Sequence, residues 1–410
     1  MQKINARRGS LSVFWREVLK MIVKQVKYMD IQMLIAIVAL MVFGTGMVFT
    51  SSTNMASGSA LSFFGKQVLF AIIALIAMIV MTVIPIRWHS KGISKIIVFS
   101  VYILIGVLIY TFLFTDPVSG AKGWINFGFL SFQPVEYFKI ALILWFAYRF
   151  SHRQLDSSRT WHSIRERLNI HDILPPLFGV ILSVAMPDMG GAAILTFIIL
   201  TMVFTSGIKV RGLSFYILAI VAFLVALPYL LPIISKTGLM AYQLKRLETY
   251  ANPWADLDSG HQLINSYYAI SNGGLFGRGL GNSIQKTGYL PEPNTDFIMA
   301  VVGEELGAVS ILIVLAVFGF ILWRLIHFAL QTPSMQYRLM LYGISAYITI
   351  QMLINLGGVV GLLPITGVTF PMISYGGSSL LSWGITFGIA FNVIGLIKQQ
   401  QEYEKERASV

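Results

Sequence analysis

Residues 31–51 read IQMLIAIVALMVFGTGMVFTS, an apolar run without a single charged residue. About 20 such residues are enough to cross the hydrocarbon core of a bilayer as one helix. Nine further apolar runs follow along the 410 residues, at 67–86, 94–115, 134–150, 173–187, 190–207, 212–233, 304–323, 338–358 and 378–397. The runs are continuous and do not alternate with period two, which excludes barrel strands. The sequence therefore predicts an all-α integral membrane protein with ten transmembrane helices and a large external loop between helices seven and eight.

The composition agrees with this fold class. Hydrophobic residues make up 56% of the chain and charged residues 12%, and the mean hydropathy is +0.73. Charged residues make up about twice that share of a soluble protein, so the composition excludes a soluble globular fold. The sequence contains no cysteine, which excludes disulfides, thiolate nucleophiles and Cys-ligated metals. In a membrane protein a net charge of +12 reflects orientation and anionic lipid, not a nucleic-acid partner.

The distribution of Lys and Arg predicts the orientation of the chain. With the N-terminus inside, 22 of the 30 fall on inside segments, so both termini are expected in the cytoplasm. Residues 1–30 are then a basic N-terminal segment, 31–397 the membrane domain and 398–410 a cytoplasmic tail. Residues 11–29 have the pattern of an interfacial amphipathic helix, and a topology-setting basic tail is the equal alternative. The external loop covers about 234–303, and loops of this length are usually functional.

Polar residues at the outer ends of the runs are the candidates for function, because a charge at mid-bilayer costs at least ~2.5 kcal/mol. Glu136 and Lys139 are three residues apart, so they share a helix face and can pair. With the nearby Lys122 and Trp124 they are candidates for holding an anionic head group. The alternative is a structural ion pair with Trp124 as an interface anchor. The turn PDMGG at 187–191 is interpreted as a helix cap.

The external loop contains the second group of candidates. Its residues 273–281 include five glycines, which allow close backbone approach to phosphate oxygens, although turns explain most such stretches. Asp296 stands where the chain re-enters the membrane, and Glu304 and Glu305 follow two turns later. Four of the external cations lie in this loop: Lys245, Arg246, Arg278 and Lys286.

A further stretch at 361–379, GLLPITGVTFPMISYGGSS, precedes the last run. Its Pro, Gly and Ser content predicts an irregular segment that lines a cavity, or else a simple connecting loop. Ser378 near its end is a candidate substrate contact. Gln351 and Asn355 in the ninth run are interpreted as interhelical hydrogen-bonding residues.

Together these strings resemble the SEDS family of peptidoglycan polymerases, the FtsW, RodA and SpoVE proteins, over roughly residues 30–400. The resemblance rests on LPITG with SYGGSS, on GLGNSIQK with LPEPNTDF, and on QPVEYFK, at 363–367, 374–379, 279–286, 290–297 and 133–139. The resemblance is stronger to the division branch of the family, FtsW, than to the elongation branch, and an elongation-type (RodA-like) polymerase is the alternative. It implies ten transmembrane helices and polymerisation of lipid II on the outer face of a bacterial cytoplasmic membrane, at the division septum. It also implies a class B penicillin-binding protein and other divisome membrane proteins as partners.

The resemblance also implies site residues. The family's essential acid is the aspartate of the fourth external loop, which matches Asp296, and its fourth-helix lysine matches Lys139. Two departures stand out. Many members have Arg where this chain has Gly123, so either Lys122 supplies that charge or it is missing. The residue two before the aspartate is usually His and here is Asn294.

The implied reaction is glycosyl transfer between two lipid-linked disaccharides, which needs a base near the attacking hydroxyl and cations near the departing diphosphate. Asp296 is the expected base, and a single displacement gives inversion at the anomeric carbon. Lys139, with Arg246 or Lys286, is expected to neutralise the leaving group. The other substrate-binding candidates are Lys122, Trp124, Glu136, Arg278 and Ser378.

Glu136 and Glu304 are expected to orient these cations and not to react. A divalent cation, Mg²⁺ or Mn²⁺, bridging the diphosphate and Asp296 is a candidate cofactor, but no ligand spacing demonstrates a metal site. The main rival function is a transporter that flips lipid-linked precursors, followed by a non-catalytic scaffold. A flippase needs polar groups through the bilayer midplane, whereas here the acidic residues gather at the outer ends of nearly charge-free runs.

Overall fold

A computed structural model of the chain describes residues 25–53, 59–116, 122–128, 131–152, 170–207 and 241–409. The seventh predicted span, 212–233, and most of the basic segment 1–30 lie outside these residues.

The described part of the chain forms eleven helices and one small hairpin. The helices are α1 (Ile31–Ser51), α2 (Ala60–Val83), α3 (Lys91–Phe114), α4 (Pro134–Ser151), α5 (Ile170–Ala185), α6 (Met189–Thr205), α7 (Ala241–Ala251), α8 (Leu257–Gly273), α9 (Ile298–Gln331), α10 (Met335–Val359) and α11 (Gly377–Ala408). The hairpin pairs β1 (Ile125–Asn126) with β2 (Ser131–Phe132) in antiparallel register. A short 3₁₀ turn at Gln285–Thr287 lies between α8 and α9.

Short polar side chains set where several helices begin. Asp30 caps α1 by accepting a hydrogen bond from the backbone N–H of Met33 at 3.1 Å. Ser59 and Ser90 cap α2 and α3 in the same way. Pro134 occupies the first turn of α4, where no backbone N–H is needed.

Six of the described helices are long and apolar enough to cross a bilayer: α1, α2, α3, α9, α10 and α11. Two shorter apolar helices, α5 and α6, accompany them. The 18-residue α4 contains three charged residues, Glu136, Lys139 and Arg149. The architecture is therefore a helical membrane bundle, while the count of ten spans stays a prediction.

Helices α10 and α11 lie in the centre of the bundle, because most of their side chains are buried. Helix α2 packs along α11, and α10 packs against α4, α6 and α9. The backbones of α2 and α11 approach so closely at Gly384 and Gly388 that a side chain there would overlap Ala74 and Met78. Small residues with this spacing allow close helix packing in a bilayer.

Nine of the ten predicted runs overlap a described helix. Helix α9 begins at Ile298 and not at 304, and it is kinked at Gly307, whose backbone angles are not helical. Helix α11 continues to Ala408 and not only to 397, since its polar last turns contain good helix formers that hydropathy does not count. The predicted loop at 234–303 contains α7 and α8.

A charged cluster ties three helices together at the end of the bundle where α1 begins. The carboxylate of Asp30 is buried and accepts hydrogen bonds from Arg324 on α9 and from Lys398 on α11, the latter at 3.3 Å. The opposite end of the bundle holds the segments before α9 and before α11, where the candidate site lies.

Candidate active site

Asp296 lies in the turn that leads into α9 and is half-buried. The Thr295 hydroxyl donates to its Oδ1 at 2.7 Å and also lies 3.2 Å from Glu292 Oε2. Its Oδ2 faces Gly367, where an added Cβ would be 3.7 Å away. The acid therefore faces the irregular segment before α11, which the sequence predicted to line a cavity.

Burial raises the pKa of the Asp296 carboxyl above its usual value. The Thr295 hydrogen bond and the positive charge of Arg246 partly oppose this rise in pKa. A carboxylate with a raised pKa is a stronger base than an exposed one, which is what abstraction of a hydroxyl proton requires.

Arg246 on α7 is the cation that the structure brings to this acid. Its Nη1 donates to the carbonyl of Ile365 at 3.0 Å, two residues from the glycine that Asp296 faces. Its charge acts on both Asp296 and Asp188. One guanidinium thus lies within electrostatic reach of two carboxyls.

Asn355 on α10 joins the acid to the segment it faces. Its Nδ2 donates to the carbonyl oxygens of Asp296 and Val368, each at 2.7 Å. One turn earlier, Gln351 Nε2 donates to the carbonyl of Thr369 at 3.1 Å. Both amides hold the segment before α11 against α10, so they position the backbone of the acid.

Glu136 and Lys139 form the ion pair that their spacing predicted. Lys139 Nζ lies 2.6 Å from Glu136 Oε1, and the lysine side chain is 1% exposed. The second oxygen of Glu136 accepts from Tyr347 Oη at 2.8 Å and from Ser382 Oγ at 3.3 Å. Lys139 also donates to Gln351 Oε1 at 3.3 Å.

Tyr347, Gln351 and Asn355 follow one another at four-residue steps along one face of α10, and we call them the α10 ladder. The ladder contacts Glu136 through Tyr347, Lys139 through Gln351 and the backbone of Asp296 through Asn355. Gln351 and Asn355 do make the interhelical contacts expected of them. They also link the buried ion pair to the acid.

Asp188 caps α6, as predicted, by accepting from the backbone N–H of Gly191 at 2.7 Å. Burial raises the pKa of its carboxyl, and Lys139, Glu136 and Arg246 act on it electrostatically. Sequence reasoning did not include Asp188 among the site residues. Its signal was an acid beside two glycines in a turn that the sequence predicts to face outward, and the first of these glycines, Gly190, lies against Thr366 and Val368.

Lys286 and Glu304 lie in a different environment from the predicted one. Lys286 Nζ forms a buried ion pair with Glu305 Oε1 at 2.7 Å, so its charge is balanced inside the protein. In the part of the chain that the structure describes, no cation pairs with the Glu304 carboxylate. It accepts hydrogen bonds from Asn272 Nδ2 on α8 and, in the loop before α9, from Ser283 Oγ and the backbone N–H groups of Ile284 and Gln285.

The remaining candidates lie at separate places. Arg278 is exposed and lines an open cleft of about 600 Å³ in the segment between α8 and α9. The backbone N–H of Lys122 donates to the Met186 carbonyl at 3.2 Å, which ties the hairpin to the turn that contains Asp188. Trp124 is half-buried in the same stretch. Ser378 is buried and accepts from the Gln133 N–H at 3.0 Å, so it joins α11 to the start of α4.

Among the described residues, no three His, Asp or Glu side chains converge as a metal site. Mg²⁺ is commonly held by one or two carboxylates together with substrate phosphates. The half-buried carboxylate of Asp296 fits such a limited role, so a divalent cation stays a prediction.

The family model and three similar relatives of this chain point to the same family. The model of the cell cycle protein family of FtsW, RodA and SpoVE matches residues 31–399. The probable peptidoglycan glycosyltransferase FtsW of Bacillus subtilis is 38% identical over 398 residues, covering 94% of this chain and 95% of the relative. The protein of the same description from Lactococcus lactis is 38% identical over 346 residues, covering 80% and 81%. The stage V sporulation protein E of Bacillus subtilis is 35% identical over 370 residues, covering 89% and 96%.

Solved structures share the fold. A chain of a peptidoglycan synthase complex, described as coordinating polymerization and crosslinking, superposes with a TM-score of 0.69 at 25% identity, covering 90% of this chain and 99% of that one. The rod shape determining protein RodA of Thermus thermophilus superposes with a TM-score of 0.61 at 24% identity, covering 89% and 96%. The predicted helical membrane architecture is thus confirmed at the level of a RodA-like fold.

Proposed function

The chain belongs to the FtsW, RodA and SpoVE family of cell cycle proteins, and from this premise we propose that it is a peptidoglycan glycosyltransferase. It polymerises lipid II into glycan strands on the outer face of the cytoplasmic membrane. Its similarity to relatives described as FtsW assigns it to septal wall synthesis during cell division.

One observation supports the chemistry most directly. Asp296 is a half-buried carboxyl with a raised pKa, and it faces an irregular segment at one end of the bundle with Arg246 within electrostatic reach. A base with a cation within electrostatic reach provides the two groups that transfer from a diphosphate-linked sugar requires.

In the proposed step, the Asp296 carboxylate takes the proton of the acceptor sugar hydroxyl. The hydroxyl oxygen forms a bond to the anomeric carbon of the donor while the bond from that carbon to the diphosphate oxygen breaks. The products are a lengthened glycan with inverted anomeric configuration, a polyprenyl diphosphate and a protonated Asp296. Removal of a proton by a positioned carboxylate contributes about 10²–10⁴-fold.

Arg246 is the cation that we assign to the leaving diphosphate. It is the arginine that acts on Asp296, and a guanidinium can bind phosphate oxygens in bidentate fashion. The charge of Lys139 is balanced by Glu136 inside the bundle, so we assign Lys139 to positioning through the α10 ladder. Lys122 is held beside the Asp188 turn and is the second candidate for the diphosphate.

We further propose ten spans with both termini in the cytoplasm, a membrane domain over 31–397 with its external loop at about 234–303, and location at the division septum. A class B penicillin-binding protein is the proposed partner, together with other divisome membrane proteins. The likeness to a chain of a peptidoglycan synthase complex supports a partner that acts on the glycan product.

Purified protein in liposomes with fluorescent lipid II tests the proposed function. We expect glycan chains longer than one disaccharide, resolved by gel electrophoresis, with polyprenyl diphosphate released. A parallel measurement follows movement of the reporter lipid between leaflets. Transbilayer movement without chain growth would contradict polymerisation and favour a flippase.

A further inference from the structure

The glycine loop, residues 273–281, exposes large apolar side chains at its tip. Leu275 is 66% exposed, Phe276 81% and Leu280 63%. Arg278 stands between them and is also exposed. Apolar side chains grouped in this way on a surface mark a contact with lipid or with another protein.

The backbone of the glycine loop is hydrogen-bonded to the first turns of α9. The N–H groups of Arg278 and Gly279 donate to the carbonyls of Glu304 and Glu305, both at 2.9 Å. In the other direction, the N–H of Ala308 donates to the Gly274 carbonyl at 2.9 Å, and the N–H of Val309 donates to the Leu275 carbonyl at 3.2 Å. Backbone groups at membrane depth must be hydrogen-bonded within the protein, and these four bonds meet that requirement for part of the glycine loop.

The contact is tight because two glycines face each other. Gly277 has φ 77° and lies against the backbone of Glu305, and Gly307 has φ 80° and lies against that of Leu275. A side chain at either glycine would overlap the other segment. The loop is therefore fixed to α9 at one depth.

That depth can be estimated along α9. Arg324, which pairs with Asp30, marks the end of the bundle opposite the glycine loop. Val309, bonded to Leu275, is fifteen residues earlier on the same helix. At about 1.5 Å per residue the two are separated by about 22 Å, which is less than the core thickness of about 30 Å.

The outer face of α9 agrees with this depth. Its exposed apolar residues begin at Val309 and continue through Leu312 and Ile313, whereas residues 298–305 are buried. The loop tip adjoins this exposed apolar stripe, because the Leu275 carbonyl accepts from the N–H of Val309.

We propose that the tip of the glycine loop inserts into the outer leaflet of the membrane. Leu275, Phe276 and Leu280 lie among the acyl chains, and Arg278 reaches up to the lipid phosphates, as long cationic side chains do near an interface. The external segment is thereby held at the membrane surface as well as at its two ends.

The cysteine-free sequence allows a direct test. Phe276→Cys is labelled with a nitroxide in the full chain, reconstituted in vesicles of phosphatidylcholine and phosphatidylglycerol. Electron paramagnetic resonance then compares access of the label to oxygen, which concentrates in lipid, with access to a water-soluble nickel chelate. Leu312→Cys is the lipid control, and His261→Cys on an exposed position of α8 is the aqueous control.

We expect the ratio of oxygen to nickel access at residue 276 to be several-fold above that at residue 261 and close to that at residue 312. A ratio like that at residue 261 would overturn the proposal, because the tip would then lie in water. Low access to both reagents would also overturn it, because protein would then cover the tip. The measurement needs no turnover, so its outcome is independent of the proposed enzymatic function.

Discussion

Two opposing influences act on the pKa of the Asp296 carboxyl. Burial raises this pKa, and the Thr295 hydrogen bond and the charge of Arg246 lower it by a smaller amount. A base acts only when deprotonated, so activity is lost as the pH falls through this pKa. The acid limb of the pH–rate profile therefore reports on Asp296.

Arg246→Gln removes the positive charge and should raise the pKa of Asp296 further. We expect the acid limb of the profile to move to higher pH, measured as polymerisation rate against pH. Arg246→Lys keeps the charge and should leave the limb near its wild-type position. A limb that does not move in the Gln variant would show that another group sets it.

Lys139 and Glu136 allow a test of whether their pair acts on turnover or only on stability. Lys139→Met leaves the buried Glu136 carboxylate without its cation, which should lower the free energy of unfolding by about 3–5 kcal/mol. The double variant Glu136→Gln, Lys139→Met removes both charges and should recover much of that stability. We expect polymerisation to stay low in the double variant, because the Lys139 contact to Gln351 is still missing.

The matched control is the exposed pair Lys27–Glu402, whose side chains are 65% and 43% exposed. Lys27→Met should change stability by less than about 1 kcal/mol. Thermal unfolding in detergent compares the variants. Full polymerisation by the stable double variant would mean that the pair is structural only.

At the scale of elements, the α10 ladder joins the ion pair to the acid through one helix face. Asn355→Ala removes the two hydrogen bonds to the carbonyls of Asp296 and Val368. We expect a fall in kcat with little change in KM, because a ~1 Å misplacement of a catalytic group can cost about 100-fold. Steady-state rates at several lipid II concentrations separate the two constants.

Gln336 is the control on the same helix. It is buried at the other end of α10, where its Nε2 donates to the Trp88 carbonyl at 3.3 Å. Gln336→Ala should lower stability without a comparable loss of kcat. Equal losses of kcat in the two variants would contradict a positioning role for Asn355.

Sequence could predict the parts of this site that depend on short spacing. The Glu136–Lys139 pair follows from a separation of three residues on a helix, and the Asp188 cap follows from an acid before an apolar run. The partners of Lys286 and Glu304 could not be predicted, because each depends on how a glycine-rich loop folds back on α9. Spacing within one helix is local, whereas such contacts depend on tertiary packing.

At the scale of the whole molecule, apolar runs located nine of the eleven described helices but not α7 and α8, which lie in the predicted loop. They could not show where α9 begins or where α11 ends, because α9 starts before the predicted run and hydropathy does not count the polar last turns of α11. They also could not show that Asp296, Arg246 and Asn355 meet. These residues come from three separate elements.

The orientation of the bundle gives a prediction at this scale. Because Lys and Arg concentrate on the N-terminal side of the topology, we expect both termini in the cytoplasm. A fluorescent protein fused to the C-terminus should fluoresce, and alkaline phosphatase inserted at Trp254 should be active outside. Reversed signals from the two reporters would contradict this topology.

The most direct test of the proposed mechanism is polymerisation of lipid II by purified Asp296→Asn. The Asn side chain keeps the shape of the acid but cannot take a proton. We expect chain growth to fall by about 10²–10⁴-fold, with the thermal midpoint of unfolding close to wild type. Asp258→Asn, at an exposed acid on the first turn of α8, should polymerise at the wild-type rate. Chain growth by Asp296→Asn at the rate of the Asp258→Asn control would contradict the role of Asp296 as the base.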